Sequence, residues 1–395
     1  MIELLRKYMP DSIKYIIFLI FTKPLGILYG IISLLPICNN KIVVRCYEGK
    51  GVGDNPKYII EELLKKNNNI EIVWLVKDKK EFNNNKYRFE NIKSIRAFYE
   101  MATAKIWISN TRIPIYFKKK IQQYYVQTWH GGLGLKRVEG AAISSLSKSY
   151  ICTAKNDSKK ADLFVSNSKY RTRLYRDYFW YDKEIIEKGL PRNDNLVNGT
   201  LIKKRKNILS KDKSLDNKVI VLYAPTFRRS HSIECYDIDF NKVKEVLEKK
   251  YNKECIILIR FHHIVAQLSD KICKKYSFVR NVSFVPDILD LLAVTDVLIS
   301  DYSSVMFDYM LLKKPIFIYA SDLEEYTKER DFMFPIKETP FPFAENNTKL
   351  IKNINSIDSI NFEKKYKNFA DKFGLIETGY SSELVADKIL ENLAK

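Results

Sequence analysis

From Lys41 onward, short runs of β-branched and aromatic residues alternate with stretches whose apolar positions recur at helical spacing. The runs KIVVRCY (41–47), EIVWLV (71–76), AKIWISN (104–110) and YYVQTWH (124–130) are apolar nearly throughout, as strands covered on both faces must be. Between the first two, NPKYIIEELLKK (55–66) has a helical period, with Asp54 or Asn55 near its start. The alternation predicts a parallel sheet flanked by helices. Residues 198–217, NGTLIKKRKNILSKDKSLDN, are polar and weakly patterned and predict a linker. After them the alternation restarts. Strands are predicted over VIVLYAP (219–225), ECIILIRFH (254–262), DVLISD (296–301) and PIFIYA (315–320), and helices over FNKVKEVLEKK (240–250), ILDLLAVT (288–295) and MFDYMLLKK (306–314). The fold class is α/β: two nucleotide-binding-like domains facing across a cleft, 41–200 and 201–395, preceded by an apolar segment over 1–40. Ligands of such sheets lie outside the carboxyl ends of the strands.

The leading segment breaks this pattern. Residues 12–37, SIKYIIFLIFTKPLGILYGIISLLPI, are strongly apolar but carry Lys14, Lys23 and Pro24. A spanning helix needs about 20 predominantly apolar residues, and Lys23-Pro24 falls mid-segment, where charge is costly and proline breaks or kinks a helix. Two short apolar pieces flanked by Arg6, Lys7, Lys14 and Lys23 suit an anchor lying in the plane of a membrane. A buried helical hairpin and a true span are the other two readings.

Charge sharpens the picture. The 395 residues carry a net +20, unevenly: residues 1–200 hold 35 basic and 19 acidic side chains, and the rest hold 32 and 28. The first half therefore faces an anionic surface or polymer. Six scattered cysteines without CxxC or zinc spacing read as small hydrophobes in a reducing compartment. No helix-turn-helix, zinc-finger or RNP signature accompanies the basic stretches, which argues against nucleic acid as partner. Walker, GxGxxG and GxSxG motifs are absent, and no grouping of ligand residues predicts a metal.

Four motifs fall at predicted strand ends and a fifth in a loop. QTWHGGLGLKR (127–137) puts His130 where a strand ends, followed by Gly131, Gly132 and Gly134 and then Lys136-Arg137. Glycines let backbone amides approach an anion, and a histidine with a pKa near ~6.5 can act as general base. RFHH (260–263) brings Arg260 and a histidine to another strand end, a pair suited to a departing phosphate. In LISDYSSVMFDYMLLKKP (298–315), Asp301, Ser303 and Ser304 precede a helix, which fits an anion site and equally an ordinary N-cap. YAPTFRR (223–229) runs from a strand into Arg228, and GLPRNDNL (189–196) carries Arg192 and Asn193 in a loop.

Taken in order, GKGVGDNPKYIIEELL (49–64), QTWHGGLGLK (127–136), GLPRND (189–194), YAPTFR (223–228), RFHH (260–263), SDYSSVMFDY (300–309), KETPFP (337–342) and TGYSSELVADKI (378–389) resemble the CDP-glycerol glycerophosphotransferases, the teichoic acid primases and polymerases of Gram-positive bacteria. The resemblance runs from about residue 41 onward. It implies a GT-B-like fold of two Rossmann-like domains, with an acceptor side at 41–200 and a CDP-donor side at 201–395. It further implies metal-independent chemistry without a cofactor, on the cytoplasmic face of the cell membrane as a peripheral protein. The implied donor is CDP-glycerol, and the acceptor is a lipid-linked polysaccharide or teichoic acid. A CDP-ribitol enzyme of the same family is the alternative, and a non-catalytic binder of anionic polymer or membrane a further one. On this resemblance His130 is the base and His262 contacts the donor phosphates, with His263 adjacent. Arg192, Arg228, Arg260, Ser303 and Ser304 fall at diphosphate-holding positions, with Asp301 beside them and Gly131 and Lys136 in the glycine-rich turn. Where the family often reads WHGTPLK, this chain has Gly132-Leu133-Gly134, so acceptor positioning is expected to differ. Its length is that of a primase-like or single-addition enzyme.

Overall fold

The computed structural model describes residues 9–82, 86–228, 234–261 and 265–395. They divide into two units. The first takes the residues up to His130, Val138–Asp194 and Ile376–Lys395; the second takes Gly131–Arg137 and Asn195–Leu375. The hydrophobic pattern predicts one crossing near residue 200. The extra crossings occur because 131–137 pair with the backbone around Phe332, while the 376–395 segment pairs with the backbone of Asn167 and Lys188.

The first unit is built on a seven-stranded parallel sheet. In chain order its strands are β1 (Cys38–Arg45), β2 (Glu71–Val76), β3 (Arg88–Asn91), β4 (Ala104–Ser109), β5 (Tyr124–Gln127), β6 (Leu163–Ser166) and β7 (Glu184–Glu187). Their spatial order is β3-β2-β1-β4-β5-β6-β7, so the sheet reverses direction of growth between β1 and β4. The central strands are the long apolar runs. The outer β3 (RFEN) and β7 (EIIE) carry charge and are only partly covered, so no apolar run marks them in the sequence.

Apolar layers cover both faces of this sheet. One contains Val43, Trp107, Tyr125, Trp129 and Phe164; the other contains Ile42, Ile59, Ile60, Leu63, Trp74, Val385 and Ile389. The second layer thus needs the helix Ser381–Leu393, which packs on the helix Asp54–Lys66. Midway along β1, Lys41 is buried and donates to Glu100 at 2.9 Å, and the same carboxylate takes Arg88 and Arg96. A buried ammonium without that partner would be costly.

Asp11–Ile32 forms one continuous helix through Pro24, not two pieces broken at Lys23-Pro24. Proline removes one backbone donor, and packing on the helices Ile95–Thr103 and Lys148–Lys160 holds the rest of the ladder together. Only Tyr29 is fully buried, edge-on to Phe117 at 5.2 Å. Ile16, Ile20, Phe21, Ile27 and Ile31 are all more than half exposed. By length and composition this helix is apolar enough to cross a membrane.

The second unit has a six-stranded parallel sheet: β8 (Val219–Ala224), β9 (Cys255–Ile259), β10 (Val279–Asn281), β11 (Val297–Ser300), β12 (Ile316–Tyr319) and β13 (Phe343–Ala344). The order β10-β9-β8-β11-β12-β13 places its reversal between β8 and β11. The predicted linker is mostly helix, Thr200–Lys211. Leu201 is buried, Arg205 donates to the Val294 carbonyl at 2.5 Å, and Lys204 pairs with Asp290 at 2.5 Å. Three well-placed contacts compensate for a thin apolar stripe, which is why the pattern alone reads as a linker.

Candidate functional site

At the carboxyl ends of β1 and β4, the reversal point of the first sheet, the chain assembles a knot of polar side chains around His130. The β5 run ends at Gln127, and Trp129 adopts a positive φ of 54°. This turns His130 so that its ring stacks on Trp129 at 4.7 Å and meets the edge of Tyr47 at 5.6 Å. The His130 Nδ1 lies 2.7 Å from the Asn110 carbonyl oxygen. A carbonyl can only accept, so Nδ1 carries the proton and Nε2 is the basic nitrogen. Burial lowers the pKa of His130 from its ordinary value, against the opposing effects of the Asn110 bond and Asp54. The ring is therefore neutral at neutral pH.

Asp54 holds the surroundings in place. Its carboxylate accepts from Arg192 Nη1 at 2.6 Å and from Asn110 Nδ2 at 2.7 Å. Arg192 also donates to the His130 carbonyl at 2.8 Å. Asn55 ties the same groups together, donating to the Trp129 carbonyl and accepting the Arg192 N–H. Behind Arg192, Glu377 accepts from Asn167, Asn193 and the Leu190 N–H, and Asp194 accepts the N–H groups of Ser381 and Ser382. Arg192, expected as a cation for a diphosphate, is 5% exposed and ion-paired. The sequence reading missed Asp54 as anything but a helix start, and it missed Asn110 and Tyr47 altogether.

In the second unit the reversal point between β8 and β11 carries two of the predicted motifs. Asp301 follows β11 and accepts the Thr226 N–H at 2.8 Å and Arg228 Nη2 at 2.8 Å. Arg228 also reaches Asp322, with Nε at 2.5 Å, and lies over the stacked rings of Tyr302 and Tyr326 at 4.7 and 4.9 Å. Arg228 and Asp301, both expected at the diphosphate, neutralise one another, and Asp322 adds a second negative charge. Asp322, Tyr302 and Tyr326 were not predicted.

The glycine-rich segment joins this group. A Cβ on Gly132 would lie 3.1 Å from the Ser304 carbonyl oxygen, so only glycine fits without displacing that turn. Ser303 and Ser304 precede the short helix Val305–Tyr309 and are half-buried. Gly131 begins the segment, beyond His130. Lys136 lies 5.3 Å over the Tyr326 ring, and burial brings its pKa down to about 8, with Asp301 opposing. Arg260 follows β9 and donates to the Val285 carbonyl at 2.7 Å. His262 and His263 lie outside the described residues. Among the described residues, no three His, Cys, Asp or Glu side chains gather as a metal set.

A family model described as CDP-glycerol:poly(glycerophosphate) glycerophosphotransferase matches residues 27–391. A teichoic acid glycerol-phosphate transferase of Staphylococcus aureus (strain NCTC 8325 / PS 47) is 34% identical over 387 residues, which are 92% of this chain and 96% of that protein. A teichoic acid poly(ribitol-phosphate) polymerase of Bacillus spizizenii (strain ATCC 23059 / NRRL B-14472 / W23) is 30% identical over 92% of this chain and 58% of its own. Among solved structures, the wall teichoic acid polymerase TagF superposes with a TM-score of 0.82 at 28% identity, covering 97% of each chain.

Proposed function

Because the chain belongs to the CDP-glycerol:poly(glycerophosphate) glycerophosphotransferase family, we propose that it moves glycerol phosphate from CDP-glycerol to a hydroxyl of a membrane-linked teichoic acid or capsular polysaccharide acceptor. His130 carries the reading: its Nδ1 is clamped by the Asn110 carbonyl, and its basic Nε2 is neutral at physiological pH. Nε2 takes the proton of the acceptor hydroxyl as that oxygen attacks the β-phosphorus of the donor. A new phosphodiester bond forms, the bond from the β-phosphorus to the bridging oxygen breaks, and CMP leaves with that oxygen. Asp54 and Arg192 act as positioning residues, fixing the carbonyl of His130 and the side chain of Asn110.

The second unit supplies the donor's anchors in this reading. Lys136, Arg260, Ser303, Ser304 and the amides around Gly131 meet the diphosphate, and His262 assists its departing phosphate. The Asp301–Arg228–Asp322 group holds the Thr226 turn rigid beside them. The chemistry needs no metal, and the exposed apolar face of Asp11–Ile32 lies on the cytoplasmic face of the membrane, where the basic first half meets anionic headgroups. The ribitol-phosphate relative supports CDP-ribitol as a second donor reading.

The test is CMP release from CDP-glycerol and CDP-ribitol, side by side, with a membrane fraction as acceptor source and EDTA present. Acceptor-dependent release from CDP-glycerol is expected. His130→Ala should lower it at least 100-fold, since general-base catalysis contributes roughly 10²–10⁴. Release from CDP-ribitol alone would replace the donor, and full activity in His130→Ala would remove the base.

A further inference from the structure

Among the buried charges that the mechanism above leaves unused, Arg45 lies directly behind the His130 clamp. Arg45 ends β1 at the sheet's reversal point, and its carbonyl accepts the N–H of Asn110, the residue that holds His130. By strand alternation its side chain shares a face with Val43, in the layer that contains Trp107, Tyr125 and Trp129. Arg45 is 4% exposed, and neither Nε nor Nη1 has a hydrogen-bond acceptor among the described residues.

Neighbouring carboxylates do not fill the gap. Asp157 is close enough to act on Arg45 electrostatically, but its oxygens are already occupied. Oδ1 accepts the Ile113 N–H and the Tyr125 hydroxyl, both at 3.0 Å, and Oδ2 accepts Arg112 Nη1 and Gln127 Nε2, both at 3.2 Å. Glu139 is taken by Arg112 and the Tyr150 hydroxyl. Glu48 sits exposed on the turn after the strand. Lys160 adds a further cation, its ammonium donating among the described residues to the Pro114 and Phe117 carbonyls. Arg45, Arg112 and Lys160 thus share two buried carboxylates, Asp157 and Glu139, while Glu48 acts on Arg45 from the exposed turn.

A guanidinium with two of its three nitrogens kept from water and without acceptors is costly, and its planar fork matches two oxygens of one phosphate. The carboxyl edge of a sheet at its reversal point is where parallel α/β sheets bind ligands. We propose that Arg45 is the receptor of an anion subsite in the first unit that takes a phosphate of the acceptor polymer. The subsite rests on the glycerophosphate-transfer reading for the ligand's source, though not for its charge. Binding there would hold the acceptor chain by its own phosphate while its terminal hydroxyl meets His130.

The experiment compares the full-length protein with Arg45→Met and Arg45→Lys. Thermal unfolding is followed with inorganic phosphate and with sodium chloride at matched ionic strength, and initial rates with a soluble glycerol phosphate oligomer as acceptor. Phosphate should raise the unfolding temperature of the wild type more than chloride does, and Arg45→Met should lose that difference. Without phosphate, Arg45→Met should be at least as stable as the wild type, because the variant removes an uncompensated buried charge. Its KM for the acceptor should rise at least tenfold with the KM for donor within twofold, and Arg45→Lys should recover part of the loss.

An Arg45→Met protein that is less stable without phosphate and has an unchanged acceptor KM would make Arg45 structural and overturn the proposal. So would a phosphate shift that survives the substitution. Loss of binding to phosphatidylglycerol vesicles with an unchanged acceptor KM would reassign the ligand to a lipid headgroup and overturn the acceptor's part. If the wild type transfers nothing from CDP-glycerol yet keeps an Arg45-dependent phosphate shift, the functional reading fails and the anion subsite stands.

Discussion

At the scale of single residues, the site is defined by which groups are held in which protonation state. His130 has a lowered pKa, so its neutral form prevails even somewhat below pH 6.5. Lys136, brought down to about 8, loses its charge just above physiological pH. The pH profile of kcat/KM should therefore rise with pH along an acid limb centred below 6.5, as His130 deprotonates, and fall along an alkaline limb near 8. In Lys136→Arg the alkaline limb should move up, because a guanidinium does not titrate there; a limb that stays at 8 in that variant belongs to another group. The position of His130 just past a strand end, with Lys136 after the glycines, was legible in the sequence because a strand run stops beside that glycine cluster. The partners of the arginines were not. Asp54 lies 138 residues from Arg192, and Asp322 lies 94 from Arg228. Nothing local indicates that these cations are matched before any substrate arrives. Asn110 meets His130 through its backbone carbonyl, a contact that any residue type can make and no motif encodes.

Among the elements, the loop 189–194 carries Arg192, which pairs with Asp54 and holds the His130 carbonyl. Gly189 has a φ of 121°, and a Cβ there would lie 2.6 Å from the Glu377 carboxylate that binds Asn193 and the Leu190 N–H. Gly189→Ala should destabilise the first unit by about 1–3 kcal/mol, the range for a strained backbone position. It should also lower kcat by displacing Arg192, while leaving the unfolding of the second unit where it was. Calorimetry with both transitions resolved checks this. The central strands could be read from their apolar runs to within a few residues. The flanking β3 and β7 could not, because a partly covered strand needs no continuous apolar sequence. The helix Asp11–Ile32 escaped for the opposite reason: tertiary contacts on one side carry it past a proline that local rules treat as a stop.

For the whole molecule, the membrane reading rests on the exposed apolar face of that first helix and on the basic charge of residues 1–200. Deleting residues 9–36 should abolish sedimentation with anionic vesicles and leave CMP release from a soluble acceptor within about threefold; unchanged sedimentation would assign membrane attachment elsewhere. The two-unit plan was legible from the restart of the βα alternation near Val219. The unit membership of residues 376–395 was not, because that segment reads as one more amphipathic helix with no mark of the face it covers. Its position has a consequence for synthesis. The seven strands of the first sheet have all been translated by residue 187, yet Ile59, Ile60 and Leu63 remain without part of their cover until Val385 and Ile389 emerge. The unit translated first is thus the last to close. A ribosome that stalls, or a message that stops, before Ile376 would release a chain with a finished second unit and an open, sticky first one.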